Sequence, residues 1–241
     1  MVEGSTLVLE AFTSGAHVVE VYADEAAAAR AEVTEVTRRA ADLGVRVRLL
    51  APGVIERISD TVNPQPVVAL VEGRPRSVEE LLVEVRGGLV VVLAGVADPG
   101  NAGTLVRTAE ATGASGVVFC GGAVDPVSPK TVRAAAGSLF RVPVATASDP
   151  IVVVGQLREL GFTVVGATLG ADHPFDRFRW PEDVALVLGA EARGLPAGVI
   201  GPQDAAVSIP MAGRVESLNV AVAGSLLCFE WARHRASWGR G

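Results

Sequence analysis

The side chains best equipped for chemistry fall at three junctions where an apolar run gives way to a polar loop. In Ile209-Pro-Met-Ala-Gly-Arg-Val-Glu-Ser-Leu-Asn-Val-Ala-Val-Ala223, Ser217 and Asn219 stand at the start of an apolar helix, where backbone amides lack partners. A helix N-terminus rich in small and amide-bearing residues can approach a ligand closely. Capping of that helix is the plainer use of the same two residues. In Asp98-Pro-Gly-Asn-Ala-Gly-Thr-Leu-Val-Arg-Thr-Ala-Glu-Ala-Thr-Gly113, a punctuated turn opens a helix that runs to a glycine stop. Asn101 and Arg107 lie nearly two turns apart on it, so they share a face only loosely. As ordinary helix parts they would be an N-cap and a solvated charge. In Val184-Ala-Leu-Val-Leu-Gly-Ala-Glu-Ala-Arg-Gly-Leu-Pro196, an apolar run leads into Gly189, Glu191 and Gly194. A carboxylate placed just past a core strand is, by itself, usually exposed loop.

The elements that would hold these residues read as α/β. Leu89–Ala94 and the run beginning at Val184 are continuous apolar stretches, the pattern of buried parallel strands. In open α/β sheets, ligands bind beyond the carboxyl ends of the strands, and all three polar junctions sit at such ends. No segment has the G-x-G-x-x-G or the G-x-x-x-x-G-K-[ST] pattern, so a dinucleotide or triphosphate held at a glycine-rich turn is not expected. Before residue 76 the pattern predicts a helix from Ser5 to Gly15, a strand His17–Tyr22 and a helix Asp24–Leu43. It continues with a strand Val45–Leu50, a short helix and a strand Pro66–Val71. Gly73-Arg-Pro-Arg-Ser77 is a polar break. The expected organisation is a small domain over 1–76, a linker over 77–87 and a second domain over 88–241. A further strand is expected over Phe162–Thr168, and an apolar last helix over Val220–Trp231, suited to a core or to an interface.

Asn-Ala-Gly-Thr-Leu-Val-Arg-Thr-Ala (101–109), Val-Leu-Gly-Ala-Glu-Ala-Arg-Gly-Leu (187–195) and the block 209–223 resemble, in order, the three signature motifs of the SpoU family. These are S-adenosylmethionine-dependent RNA ribose 2′-O-methyltransferases of the SPOUT class. The intervening segment Asp125–Pro143 is similar as well, so the resemblance covers the C-terminal domain. It implies a parallel-sheet α/β domain with a deep trefoil knot, an exception to the rule that chains avoid knots. It implies bent S-adenosylmethionine held by backbone groups of Gly189, Ile209 and Leu218, with Thr168 and Met211 as further candidates for the same pocket. Arg107 is the residue the family assigns to activating the 2′-hydroxyl. A guanidinium is a poor base at neutral pH. The resemblance therefore leaves open whether Arg107 stabilises the developing alkoxide or acts as a base assisted by a partner group. Asn101 and Glu191 would orient Arg107 and the ribose, and Ser217 and Asn219 would shape the methyl-donor end. A homodimer with its active site near the interface is implied too.

The first 76 residues resemble the small α/β/α substrate-binding domain of many SpoU enzymes, through layout, Val2-Glu-Gly4 and Val67-Val-Ala-Leu-Val-Glu72. Family members usually carry a basic stretch before the Val-Glu-Gly position, where this chain begins, so either the start is trimmed or the RNA contacts usually made by that arm are missing. That resemblance implies ribosomal RNA rather than tRNA as the substrate. A tRNA 2′-O-methyltransferase and a catalytically silent RNA-binding member of the same fold are the alternatives.

Composition bounds these readings. The chain has 241 residues, 49% of them hydrophobic, enough for adequate cores. Its net charge of −6 is unusual for an RNA enzyme, because phosphate contacts normally call for a basic footprint. Grouped arginines could supply one: Arg38, Arg39, Arg46 and Arg48, then Arg74, Arg76 and Arg86, then Arg133, Arg141, Arg193 and Arg214. Cys120 and Cys228 are expected as buried free thiols in a reducing cytosol. His17, His173 and His234 lack ligand spacing, so no metal is expected. No run is long enough to span a bilayer and no signal peptide is visible, so the expected location is cytoplasmic.

Overall fold

The computed structural model describes residues 1–59 and 61–238, without side chains beyond residue 235. Residues 239–241, the end of the expected second domain, lie outside the described residues. The chain forms two compact units, Met1–Arg74 and a second beginning at Pro75.

The first unit holds β1 (Val2–Glu3), α1 (Ser5–Thr13), β2 (Val18–Asp24), a 3₁₀ turn at Glu25–Ala27, α2 (Ala31–Asp42), β3 (Arg46–Leu50), α3 (Ile55–Ile58) and β4 (Val67–Val71). Its sheet runs β1-β4-β2-β3, with β4 antiparallel to both β1 and β2. Alternation along β2 and β4 sends Val21, Ala23, Val67 and Ala69 into a fully buried core with Val8, Ala11, Val33 and Val36. The expected helix over 24–43 is broken. Asp24 accepts from the Ala26 amide at 2.9 Å, and this side-chain turn ends in extended backbone at Arg30 before α2 starts. The two-residue strand β1 is too short to give an alternating pattern and was not expected.

The second unit holds α4 (Val78–Glu84), β5 (Leu89–Ala94), α5 (Pro99–Thr112), β6 (Gly116–Cys120), α6 (Pro129–Ala135), β7 (Val144–Thr146), α7 (Pro150–Glu159) and β8 (Thr163–Ala167). It continues with β9 (His173–Pro174), β10 (Val184–Gly189), β11 (Ala205–Ser208) and α8 (Val220–Trp238). Seven strands form one parallel sheet in the order β7-β6-β5-β10-β8-β11-β9. The order fans outward in both directions from the β5–β10 pair, the kind of switch point where α/β sheets open a crevice. Both faces are covered, which is why β5 and β6 are buried at every position and read as unbroken apolar runs.

One helical layer of this unit builds the site. α8 lies on α5 and β10 at Gly224, where an added Cβ would come within 2.4 Å of Leu105 Cδ2 and 2.6 Å of Leu188 Cδ1. A hydroxyl pair, Thr108 with Ser225 at 2.8 Å, ties the same two helices. α8 is seven residues longer than its apolar stretch implies, because Glu230 pairs with Arg233 and His234 and carries the polar turns. Only its core role is visible within the protomer. Ala221, Leu227, Cys228 and Trp231 are buried, whereas Val222, Leu226 and Phe229 form an exposed stripe.

Candidate functional site

Four neighbouring strands, β5, β10, β8 and β11, end on the same side of the sheet. The loops that leave them carry the polar residues. Asp98 follows β5, Glu191 follows β10, Thr168 follows β8 and Ile209 follows β11. Between the last three loops and the start of α8 lies a cleft of about 700 Å³. Thr168, Gly189, Ile209, Met211 and Leu218 all line it, together with Glu191, Ser217 and Asn219.

The loop after β10 is drawn into a closed turn by paired backbone bonds. The Ala190 amide donates to the Gly194 carbonyl at 3.0 Å, and the Gly194 amide donates back at 2.8 Å. Gly194 takes φ +67, and the backbone of 194–195 passes so close to Gly189 that a Cβ there would sit 2.2–2.4 Å from it. Glycine at 189 is therefore required by the fold of its own loop. It also leaves the floor of the cleft as bare backbone, able to meet a flat ligand edge.

The three sequence segments meet through side-chain amides. Asn219 Nδ2 donates to Asn101 Oδ1 at 2.9 Å, and Asn101 Nδ2 donates to Glu191 Oε1 at 2.9 Å. Asn219 Oδ1 in turn accepts from the amides of Ala221 at 2.9 Å and Val222 at 3.3 Å, so Asn219 caps α8. This head-to-tail chain runs from the α8 N-terminus through α5 to the loop after β10. Ser217 is exposed and makes no hydrogen bond among the described residues. The cap of α5 is Asp98, which accepts from the Asn101 amide at 2.8 Å. Relieved of capping, the Asn101 side chain is free to join the chain of amides. Pro99 at the first helical position is the sequence signal that marks Asp98 as the cap.

Arg107 stands apart. It is exposed on the solvent stripe of α5 with Gly100 and Thr104, some 9 Å along the helix from Asn101 at 1.5 Å rise per residue. It has no hydrogen bond or ion pair among the described residues and does not line the cleft. A second, shallower groove lies on this side, lined by Asp98, Asn101, Thr104, Asn219 and the exposed α8 stripe. Asn219 borders both depressions. Sequence reasoning missed Asp98, Thr104 and this stripe.

Much of the arginine footprint is neutralised locally. Arg38 pairs with Glu35 and Asp42, Arg48 with Glu20, Arg76 with Glu84 and Arg141 with Glu110. Arg39, Arg46, Arg193 and Arg214, like Arg107, have no such partner among the described residues. The thiols are not nucleophiles. Burial, with Asp149 nearby, pushes Cys120 up to about 12, and burial pushes Cys228 up to about 12. Among the described residues no group of three His, Cys, Asp or Glu side chains is placed to hold a metal ion. No described helix is long and apolar enough to cross a membrane.

Comparison with known proteins covers nearly all of the chain. Residues 88–229 match the family described as the SpoU rRNA Methylase family, and residues 1–77 match RNA 2′-O ribose methyltransferase substrate binding. The chain is 33% identical over 231 residues to the 23S rRNA (guanosine(2553)-2′-O)-methyltransferase RlmP of Bacillus subtilis, covering 95% of this chain and 86% of that one. It is 35% identical over 182 residues to the 23S rRNA (guanosine-2′-O-)-methyltransferase RlmB of Ralstonia nicotianae, 74% of this chain and 73% of the other. Among solved structures, the SpoU methyltransferase AviRb from Streptomyces viridochromogenes in complex with AdoMet superposes with a TM-score of 0.86 at 30% identity, covering 98% of this chain and 89% of AviRb. AdoMet-bound rRNA methyltransferase from Sinorhizobium meliloti gives 0.81 at 35% identity, covering 96% and 86%.

Proposed function

The chain belongs to the SpoU rRNA methylase family, and from that premise we propose that it methylates the ribose 2′-hydroxyl of a guanosine in 23S ribosomal RNA. The observation that carries the reading is the chain of bonds Asn219–Asn101–Glu191 at the mouth of a cleft of suitable size. The named relatives, both 23S rRNA guanosine 2′-O-methyltransferases, support the substrate. The N-terminal substrate-binding match supports an RNA partner.

The cleft suits S-adenosylmethionine. Leu188, Ile209, Val220 and Leu227 offer an apolar wall, and bare backbone at 189–190 offers hydrogen bonds to a base edge. Two carboxylates, Glu191 and Glu216, and one guanidinium, Arg193, offer charge to the donor's tail. Thr168, Gly189, Ile209, Met211 and Leu218 would hold the donor. When bound, it supplies a methyl group that leaves sulfur for the ribose oxygen, with the C–S electron pair passing to sulfur and the hydroxyl proton to solvent.

The protein's share of the work is alignment and electrostatics. Asn101, fixed by its neighbours on both sides, orients the ribose. Glu191 keeps one carboxylate oxygen outside the Asn101 bond, available to the sugar or to the donor. Arg107 stabilises the developing alkoxide through the charge and hydrogen-bond donors of its guanidinium. Ser217 and Asn219 shape the donor end.

The reading includes a homodimer. Val222, Leu226 and Phe229 are 51%, 41% and 55% exposed and lie beside Asn101 and Thr104, so a second copy seated there would bury the stripe and close the groove. Phe229→Glu is expected to convert a dimer to a monomer in sedimentation while keeping the wild-type helix content by circular dichroism. A wild-type monomer would defeat the proposal. The reading also includes a trefoil knot in the C-terminal domain, supported by β11 and α8 returning beside β8 and α5 after β10. It further includes action in the cytoplasm, where ribosomal RNA is found.

The deciding experiment is transfer of labelled methyl from S-adenosylmethionine to 23S rRNA and to bulk tRNA lacking the modification, followed by nucleoside analysis. Label in 2′-O-methylguanosine from 23S rRNA is the expected result. Label confined to tRNA, or in a base, would overturn it.

A further inference from the structure

Among the described residues the donor cleft has one cation, Arg193, set against two carboxylates, Glu191 and Glu216. Its position is built rather than incidental. The closed turn 190–194, pinned by the two backbone bonds between Ala190 and Gly194 and by the left-handed Gly194, fixes the backbone that carries Arg193 at the cleft wall. The guanidinium makes no hydrogen bond or ion pair among the described residues. Glu191, two residues earlier in the same turn, is already engaged by Asn101. Within one five-residue turn, therefore, one charge is committed to the polar chain and the other is left available.

Resting on the methyltransferase reading above, we infer that Arg193 recognises the α-carboxylate of the methyl donor and makes the enzyme select donors that carry one. The donor brings one anionic group, its carboxylate, and Arg193 is the one cation that lines the cleft among the described residues. A planar guanidinium fork grips a carboxylate through two parallel hydrogen bonds, which a lysine cannot reproduce. Arg193 acts on affinity and donor choice. It takes no part in methyl transfer itself.

The test is calorimetric titration of wild-type protein, Arg193→Gln and Arg193→Lys with S-adenosylmethionine and with decarboxylated S-adenosylmethionine, needing no RNA and no turnover. Wild type is expected to prefer the carboxylated donor about tenfold, the scale of one charge-assisted bidentate contact. Arg193→Gln is expected to lose that preference by binding S-adenosylmethionine more weakly while binding the decarboxylated form as before. Arg193→Lys should fall between. Equal affinity of wild type for the two donors, or an undiminished preference in Arg193→Gln, would overturn the inference and leave the methyltransferase reading standing. Binding of neither donor by wild type would overturn both.

Discussion

Arg107→Ala is expected to lower methyl transfer about a hundred- to a thousandfold, the scale seen when one preorganised donor is removed from an oxyanion site. S-adenosylmethionine affinity and melting temperature should stay within error of wild type. Three observations set these expectations together. Arg107 is exposed, so its removal leaves no cavity. It has no partner among the described residues, so no buried charge is orphaned, and it does not line the donor cleft. An arginine with no structural employment, on the solvent stripe of α5 one helix turn beyond Thr104, is available to act on a substrate that arrives from outside. Arg107→Lys keeps the charge and loses the fork, so partial recovery would point to electrostatics. Calorimetry with S-adenosylmethionine and transfer to 23S rRNA are the two readouts. An Arg107→Ala protein that transfers normally would remove Arg107 from the mechanism. One that no longer binds the donor would relocate it to the cleft.

How much of this was legible beforehand depended on whether local pattern or tertiary contact decided the outcome. The buried strands β5 and β10 were readable because a sheet covered on both faces needs apolar residues at every position. The polar junctions were readable because they interrupt those runs abruptly. Asn101 was ambiguous, since Asp98 and Asn101 are both good caps. The bonds with Glu191 and Asn219, 90 and 118 positions away, show that the Asn101 side chain is used elsewhere. The arginine footprint divided the same way. Arg38 makes two helix-spaced pairs, with Glu35 and Asp42, that sequence could have revealed, whereas Arg48 with Glu20 needs the β2–β3 register. The last helix misled in length because its apolar period ends at Trp231 while its polar turns are held by Glu230. The amide chain across three segments has no periodic signature, since each member is a common loop or cap residue.

Gly189→Ala is expected to weaken S-adenosylmethionine binding at least tenfold, although it adds a single methyl group. The added Cβ would meet the carbonyl carbon of Gly194 at 2.2 Å, its oxygen at 2.3 Å and the Leu195 nitrogen at 2.4 Å. These are backbone atoms, so no rotamer change can relieve the contact, and overpacking of this kind costs on the order of 1–3 kcal/mol. Two parts of the structure could yield. β10 is held by six paired positions on β5 and four on β8, whereas the turn 190–194 is held across its neck by the two backbone bonds between Ala190 and Gly194. The turn is the weaker part and should open. Opening it moves Glu191 away from Asn101 and strips the cleft of its wall from 190 to 195. The loss should therefore appear in donor affinity more than in folding, with a melting temperature lowered by a few degrees for about 1 kcal/mol at this chain length. Thermal shift with and without S-adenosylmethionine separates the two effects, because ligand stabilisation follows affinity for the native state. A Gly189→Ala protein that is strongly destabilised yet still shows the full donor-induced shift would mean that β10 moved instead. The cleft would then owe its shape to the turn's own bonds more than to the missing side chain at 189.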